Sequence, residues 1–116
     1  MSFSDKQISQ LKETLGLKKA QCTTMAELRS EIDVLDQKIV ELLMVRSTFM
    51  HQAAHIKKDR NTVRDQDRVE DVMSKVSKYA GEVGADPNLV SDIYRMMIEW
   101  SINYEFDRFD ELKKIL

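Results

Sequence analysis

The sequence predicts an all-α fold: a three-helix chain whose long first helix is shared with a second copy in an intertwined homodimer. Three observations carry this expectation. The 116 residues include only 3 Gly and 1 Pro, so tight turns are scarce and a multi-strand fold is disfavoured. Residues that are apolar except for Arg46 follow one another at steps of four and three from Leu28 to Ile56. Helix-start and helix-stop residues stand where such helices would begin and end.

At 42% hydrophobic and 33% charged the composition is globular, and the length suits one domain, with no comfortable room for a classical nucleotide-binding sheet. The 18 basic and 20 acidic residues leave a net charge of -2, which gives no reason to expect nucleic acid or an anionic membrane as partner. No stretch approaches the roughly 18 apolar residues that would span a bilayer. The single Cys22 excludes an internal disulfide. The start, Met-Ser-Phe-Ser-Asp-Lys, lacks the basic and apolar regions of a signal peptide, so the cytoplasm is the expected compartment.

Residues 1–23 form a polar arm. Ile8, Leu11 and Leu15 have helix-like spacing and Gly16 is a stop, which allows at most a short, weakly held helix. A helical domain over 24–116 follows. Thr24 with Glu27 three positions on fits a capping box, in which hydroxyl and carboxylate satisfy the free donors of a helix start. The heptad stripe has Ile32, Ile39, Arg46 and Ala53 in one row and Leu28, Leu35, Leu42, Phe49 and Ile56 in the other. No Gly or Pro lies between 24 and 60. The helix can therefore run to about Lys58, roughly 34 residues or about 51 Å. A compact globule of this length is only about 35 Å across, and the economical cover for the projecting stripe is a second copy.

Lys58 to Thr62 reads as a polar loop. A second helix runs from about Arg64 to Val83, with Val69, Val72, Met73, Val76, Tyr79, Ala80 and Val83 on its apolar face and Gly84 as C-cap. Asp86 and Pro87 supply an N-cap and a first-turn proline for a third helix reaching about Lys113. Its inner face is Val90, Ile93, Tyr94, Met97, Ser101, Glu105 and Arg108.

Both long stripes are interrupted by polar residues. Arg46 is costly to bury unpaired, so it needs an anion: a carboxylate of a neighbouring helix, or a ligand. Lys57 follows 11 positions later, three turns on and on nearly the same face, so the two cations can converge. Arg68 joins them if the second helix folds back beside the first. Arg29 lies about 25 Å from Arg46 along the helix, too far for one small molecule, but the partner's copy could reach it in an antiparallel dimer. Ser101 and Glu105 are an i, i+4 pair. A carboxyl in an apolar setting keeps its proton to higher pH, which would make Glu105 a donor; the alternative is an ion pair with one of the arginines. His51 and His55 have metal-compatible spacing but face outward with no third ligand evident, and Cys22 has no positioned base. No metal or cofactor is expected.

These residues in this order resemble the all-helical chorismate mutase family across about residues 25–108. The matching stretches are ELRSEIDVLDQKIVELLMVR, then Lys57, VRDQDRV, and IEWSIN with Glu105. The resemblance implies an intertwined dimer that rearranges chorismate to prephenate in the shikimate pathway, on the way to aromatic amino acids. It implies that Arg46 and Arg68, with Arg29 of the other subunit, bind the two carboxylates. Lys57 and Glu105 would face the ether oxygen, Asp65 would lie near the ring hydroxyl, and Ser101 would help hold the ring-side carboxylate. Arg46, Lys57 and Glu105 would be the catalytic groups. Such a rearrangement needs only a folded substrate and stabilisation of charge on the departing oxygen.

Two positions depart from the commonest bacterial pattern: Val69 and Glu105 stand where many mutases have Glu and Gln. Because Glu105 must be protonated to donate, activity is expected to increase toward acid pH. Arg68 with Val69, and Ile98 with Trp100, are also similar to isochorismate-pyruvate lyases of the same fold, while Ser101 and Asp65 favour the mutase. A helical binding module without turnover is the third expectation weighed; retention of Arg46, Lys57 and Arg68 speaks against it.

Overall fold

The computed structural model describes residues 5–18 and 21–115. Residues 1–4 and 19–20 of the expected arm, and residue 116, lie outside them. The described residues form four α-helices and no strand: α1 (Asp5–Thr14), α2 (Met25–Ile56), α3 (Gln66–Val83) and α4 (Pro87–Ile115). A 3-10 turn, Arg60–Thr62, stands between α2 and α3. The expected three-helix count is therefore corrected to four, because the arm contributes a ten-residue helix of its own. No helix among the described residues is long and apolar enough to cross a membrane.

Local chemistry sets these boundaries. Past α1, Gly16 adopts φ +72, a left-handed conformation that only glycine adopts without strain, and the Leu17 N–H returns to the Lys12 carbonyl at 2.7 Å. At the start of α2 the Glu27 N–H donates to Thr24 Oγ1 at 3.1 Å. The Glu27 carboxylate accepts from the Thr23 N–H at 3.1 Å, one residue earlier than the reciprocal bond of a capping box. That bond, followed by the charge of Lys18, holds Glu27 below the usual carboxylate range. Asp65 caps α3 by accepting from the Arg68 N–H at 3.1 Å, so this helix starts slightly later than the periodicity suggests. It ends at Gly84, φ 72, as expected. Asp86 caps α4 through the Asn88 N–H at 2.8 Å, with Pro87 first in the helix.

The chain divides into two compact units, Ser2–Val45 and Arg46–Leu116. In the first, the Lys18 N–H donates to Glu31 at 3.0 Å, and its ammonium lies 3.5 Å from Glu27. The apolar stripe of α2 is open here: Leu28, Ile32, Ile39 and Leu42 are all exposed. The second unit holds the core, built from Ala54 of α2, Val63 of the connection, Met73 of α3, and Ile98, Ile102 and Phe109 of α4. Val69, Val72, Tyr94, Phe106 and Leu112 pack around it.

Candidate active site

Within the second unit, the last turns of α2, the start of α3 and the middle of α4 surround a cavity of about 320 Å³. Its apolar walls are Met50, Ala53, Val63, Val69, Val72, Ile98 and Ile102. Its polar lining is Arg46, Lys57, Asp65, Arg68, Ser101 and Glu105. Six of the seven residues singled out from the sequence thus meet around one cavity. Arg29 belongs to the first unit, exposed on α2.

The cavity is small-molecule sized, and its apolar walls strengthen the few charges that face into it. Arg46 is half-buried and donates to Ser101 Oγ at 2.5 Å. Ser101, only 4% exposed, donates its own hydrogen bond to the Met97 carbonyl at 2.7 Å. The seam arginine thus meets a hydroxyl rather than the carboxylate of a neighbouring helix. Its second guanidinium edge is not required by that bond and suits a ligand anion.

Glu105, also 4% exposed, has the Lys57 ammonium 2.7 Å from its Oε1. Where the ion-pair alternative named an arginine, the cation beside Glu105 is a lysine. The two are close but misaligned for a directed hydrogen bond, and Oε1 is buried without one. The ammonium is aimed instead at the Val63 carbonyl, 3.1 Å away. A buried carboxylate oxygen without a directed hydrogen bond is costly, and the Lys57 ammonium beside it offsets part of that cost.

Arg68 sits at the mouth of the cavity, where its guanidinium donates to Asp71 at 2.5 Å. Asp71 is held below the usual carboxylate range by hydrogen bonds, first from Lys75 and then from Arg68. Asp65 spends one oxygen on the α3 cap and lines the same cavity. The apolar lining residues Met50 and Val63 were not legible as site residues, since nothing in their type or spacing separates them from core. The outward histidines stand edge to face, 5.5 Å apart, and no group of three metal-binding side chains occurs among the described residues.

Fold and cavity together define an all-helical protein with a mixed-charge, apolar-walled pocket. The chain belongs to the type II chorismate mutase family, whose model matches residues 28–106. It is similar to the isochorismate pyruvate lyase of Pseudomonas aeruginosa, with 28% identity over 81 residues, 70% of this chain and 80% of the relative. It is likewise similar to the chorismate mutase of Methanocaldococcus jannaschii, with 29% identity over 76 residues, 65% of this chain and 77% of the relative.

Proposed function

We propose that the protein is a chorismate mutase acting as a homodimer. The observation that carries this reading is the convergence of Arg46, Lys57 and Arg68 with Ser101 and Glu105 around one apolar-walled cavity. In the reaction the ether C–O bond breaks as a C–C bond forms within the same molecule, and negative charge gathers on the ether oxygen in the transition state. Lys57, and Glu105 when protonated, are the donors for that oxygen. Arg46 and Arg68 hold the carboxylates, with Arg68 exchanging Asp71 for substrate, and Asp65 receives the ring hydroxyl. Fixed donors in a site shielded from water favour the transition state because little reorganisation is needed when charge develops.

Arg29 of a second copy would add a further cation for the substrate's carboxylates. The exposed α2 stripe, with Phe49 and Ile56 continuing it into the second unit, supports the same arrangement.

The second reading is isochorismate-pyruvate lyase. Val69 and Ile98, two of the residues shared with that activity, line the cavity, and the Pseudomonas relative carries that name. Ser101 in the wall and Asp65 at the mouth favour the mutase. Incubation with chorismate and isochorismate separately distinguishes them. Prephenate from chorismate supports the mutase; salicylate with pyruvate from isochorismate, and no prephenate, overturns it.

The reading also predicts a pH profile. With Arg46, Lys57, Asp65 and Arg68 as its charged neighbours around the cavity, Glu105 must take up a proton before it can donate one. Mutase activity should rise from pH 8 toward pH 5, because only the protonated carboxyl can donate. Glu105→Gln should flatten the profile, because an amide donates at any pH. A wild-type rate constant across this range would count against Glu105 as donor.

A further inference from the structure

The connection from Lys57 to Asp65 is organised first by its own bonds. The Asp59 carboxylate accepts from the Asn61 N–H at 3.0 Å, and its carbonyl accepts from the Thr62 N–H at 3.0 Å and hydroxyl at 2.6 Å. It is then tied to α4 at two places. Arg60 reaches Asp110 with a forked pair, Nε at 2.9 Å and a terminal nitrogen at 3.3 Å, while its guanidinium lies 4.5 Å over the Phe106 ring. Arg64 reaches Glu99 with a second fork, at 3.0 and 2.6 Å.

Between the two arginines in sequence lies Val63, whose side chain is 3% exposed in the core and whose carbonyl accepts from the Lys57 ammonium. Glu99 and Asp110 are eleven positions apart, about 16 Å and close to three turns, so both leave α4 on one side, with Ser101 and Glu105 between them in sequence. The forks therefore bracket the carbonyl that aims Lys57.

We propose that the Arg60–Asp110 and Arg64–Glu99 pairs are a clasp that closes the Lys57–Asp65 connection onto α4, fixes the Val63 carbonyl and thereby aims the Lys57 ammonium into the cavity. All four are positioning residues. The consequence for turnover rests on the cavity being the substrate site; the clasp itself does not. An isolated exposed ion pair contributes little because two long side chains must be ordered for one attraction. Here the forks are bidentate, and once the first is made the segment that carries the second is already ordered. The protonation behaviour agrees: hydrogen bonds from Arg60 and Arg64 hold Asp110 and Glu99 below the usual carboxylate range.

The test uses native proteolysis and steady-state kinetics on the full chain. Lys57, Lys58, Arg60 and Arg64 are trypsin sites, and cleavage of a locally opened segment tracks its open population. Glu99→Gln/Asp110→Asn should be cut at Lys57 and Lys58 about tenfold faster than wild type, with each single change intermediate. Glu111→Gln, which removes the exposed partner of Arg108 on the same helix, should leave cleavage unchanged. In wild type, 1 M salt should accelerate the same cuts, because screening weakens exposed pairs. Reversing one fork as Arg60→Glu/Asp110→Arg should restore protection that Asp110→Arg alone removes.

In turnover of chorismate, the double neutral variant should lower kcat more than it raises KM, since Lys57 is assigned to the breaking bond. Wild-type cleavage rates in the single and double variants would overturn the clasp, and protection lost with kcat unchanged would overturn the aiming of Lys57. Wild-type protein that turns over neither substrate would overturn the function proposed above, while the trypsin pattern would still decide the clasp.

Discussion

The two units use the same kind of sequence to different ends. In Arg46–Leu116 part of the apolar face of α3 and α4 is covered within the unit: Ile98, Ile102 and Phe109 are buried, whereas Tyr79 and Ile93, expected on the inner faces, are exposed. In Ser2–Val45 the α2 stripe is at least as regular, yet Ile32, Ile39 and Leu42 remain exposed. The difference teaches that periodicity tells which face requires cover, and leaves open whether one chain provides it. The site falls in the self-covered unit, where polar residues can be fixed against a packed wall.

This contrast can be broken from either side. Ile39→Asp should have the largest effect: a charge on the stripe should convert a dimer to a monomer in sedimentation equilibrium, whereas a protein already monomeric would be indifferent to it. Ile102→Ala should cost about 2–5 kcal/mol in urea unfolding, because a buried residue leaves a cavity whatever the oligomeric state. Gly84→Ala should cost about 1 kcal/mol, since the left-handed cap at φ 72 strains any residue with a Cβ.

The smallest effect is pH-dependent. Asp110 and Glu99 titrate below their ordinary 3.8 and 4.5 in the folded protein. A carboxylate with a lowered folded pKa gives its full stabilisation above the unfolded value and loses it as pH falls through the folded one. Protection of the Lys57–Asp65 connection in hydrogen exchange should therefore persist at pH 5 and fall only below the ordinary carboxylate range.

Much of this was legible in the sequence because it is local. Gly84, the Asp86–Pro87 pair and the Thr24–Glu27 signal fixed helix ends within a turn of their own position. The spacing of Arg46, Lys57, Ser101 and Glu105 along single helices carried the site. What was not legible is pairing across the chain. Nothing within a helix tells that Arg46 meets a hydroxyl 55 residues away or that Glu105 meets Lys57. The forks of Arg60 and Arg64 join residues 50 and 35 positions apart, and in a chain one-third charged any of many carboxylates could have served. The extra helix α1 was underestimated for a different reason: a short polar helix has a weak pattern even where it forms.

The central claim is that one cavity, completed by Arg29 of a second copy, rearranges chorismate. Arg29→Ala and Arg46→Ala, each removing a proposed carboxylate ligand, should each lower kcat/KM by about 10²–10³. Unfolded together and refolded as a mixture, the two variants should recover prephenate formation to about a quarter of the wild-type rate, because half of the dimers are mixed and each of those holds one intact site. A mixture no more active than its components, beside an active wild type, would contradict the shared site.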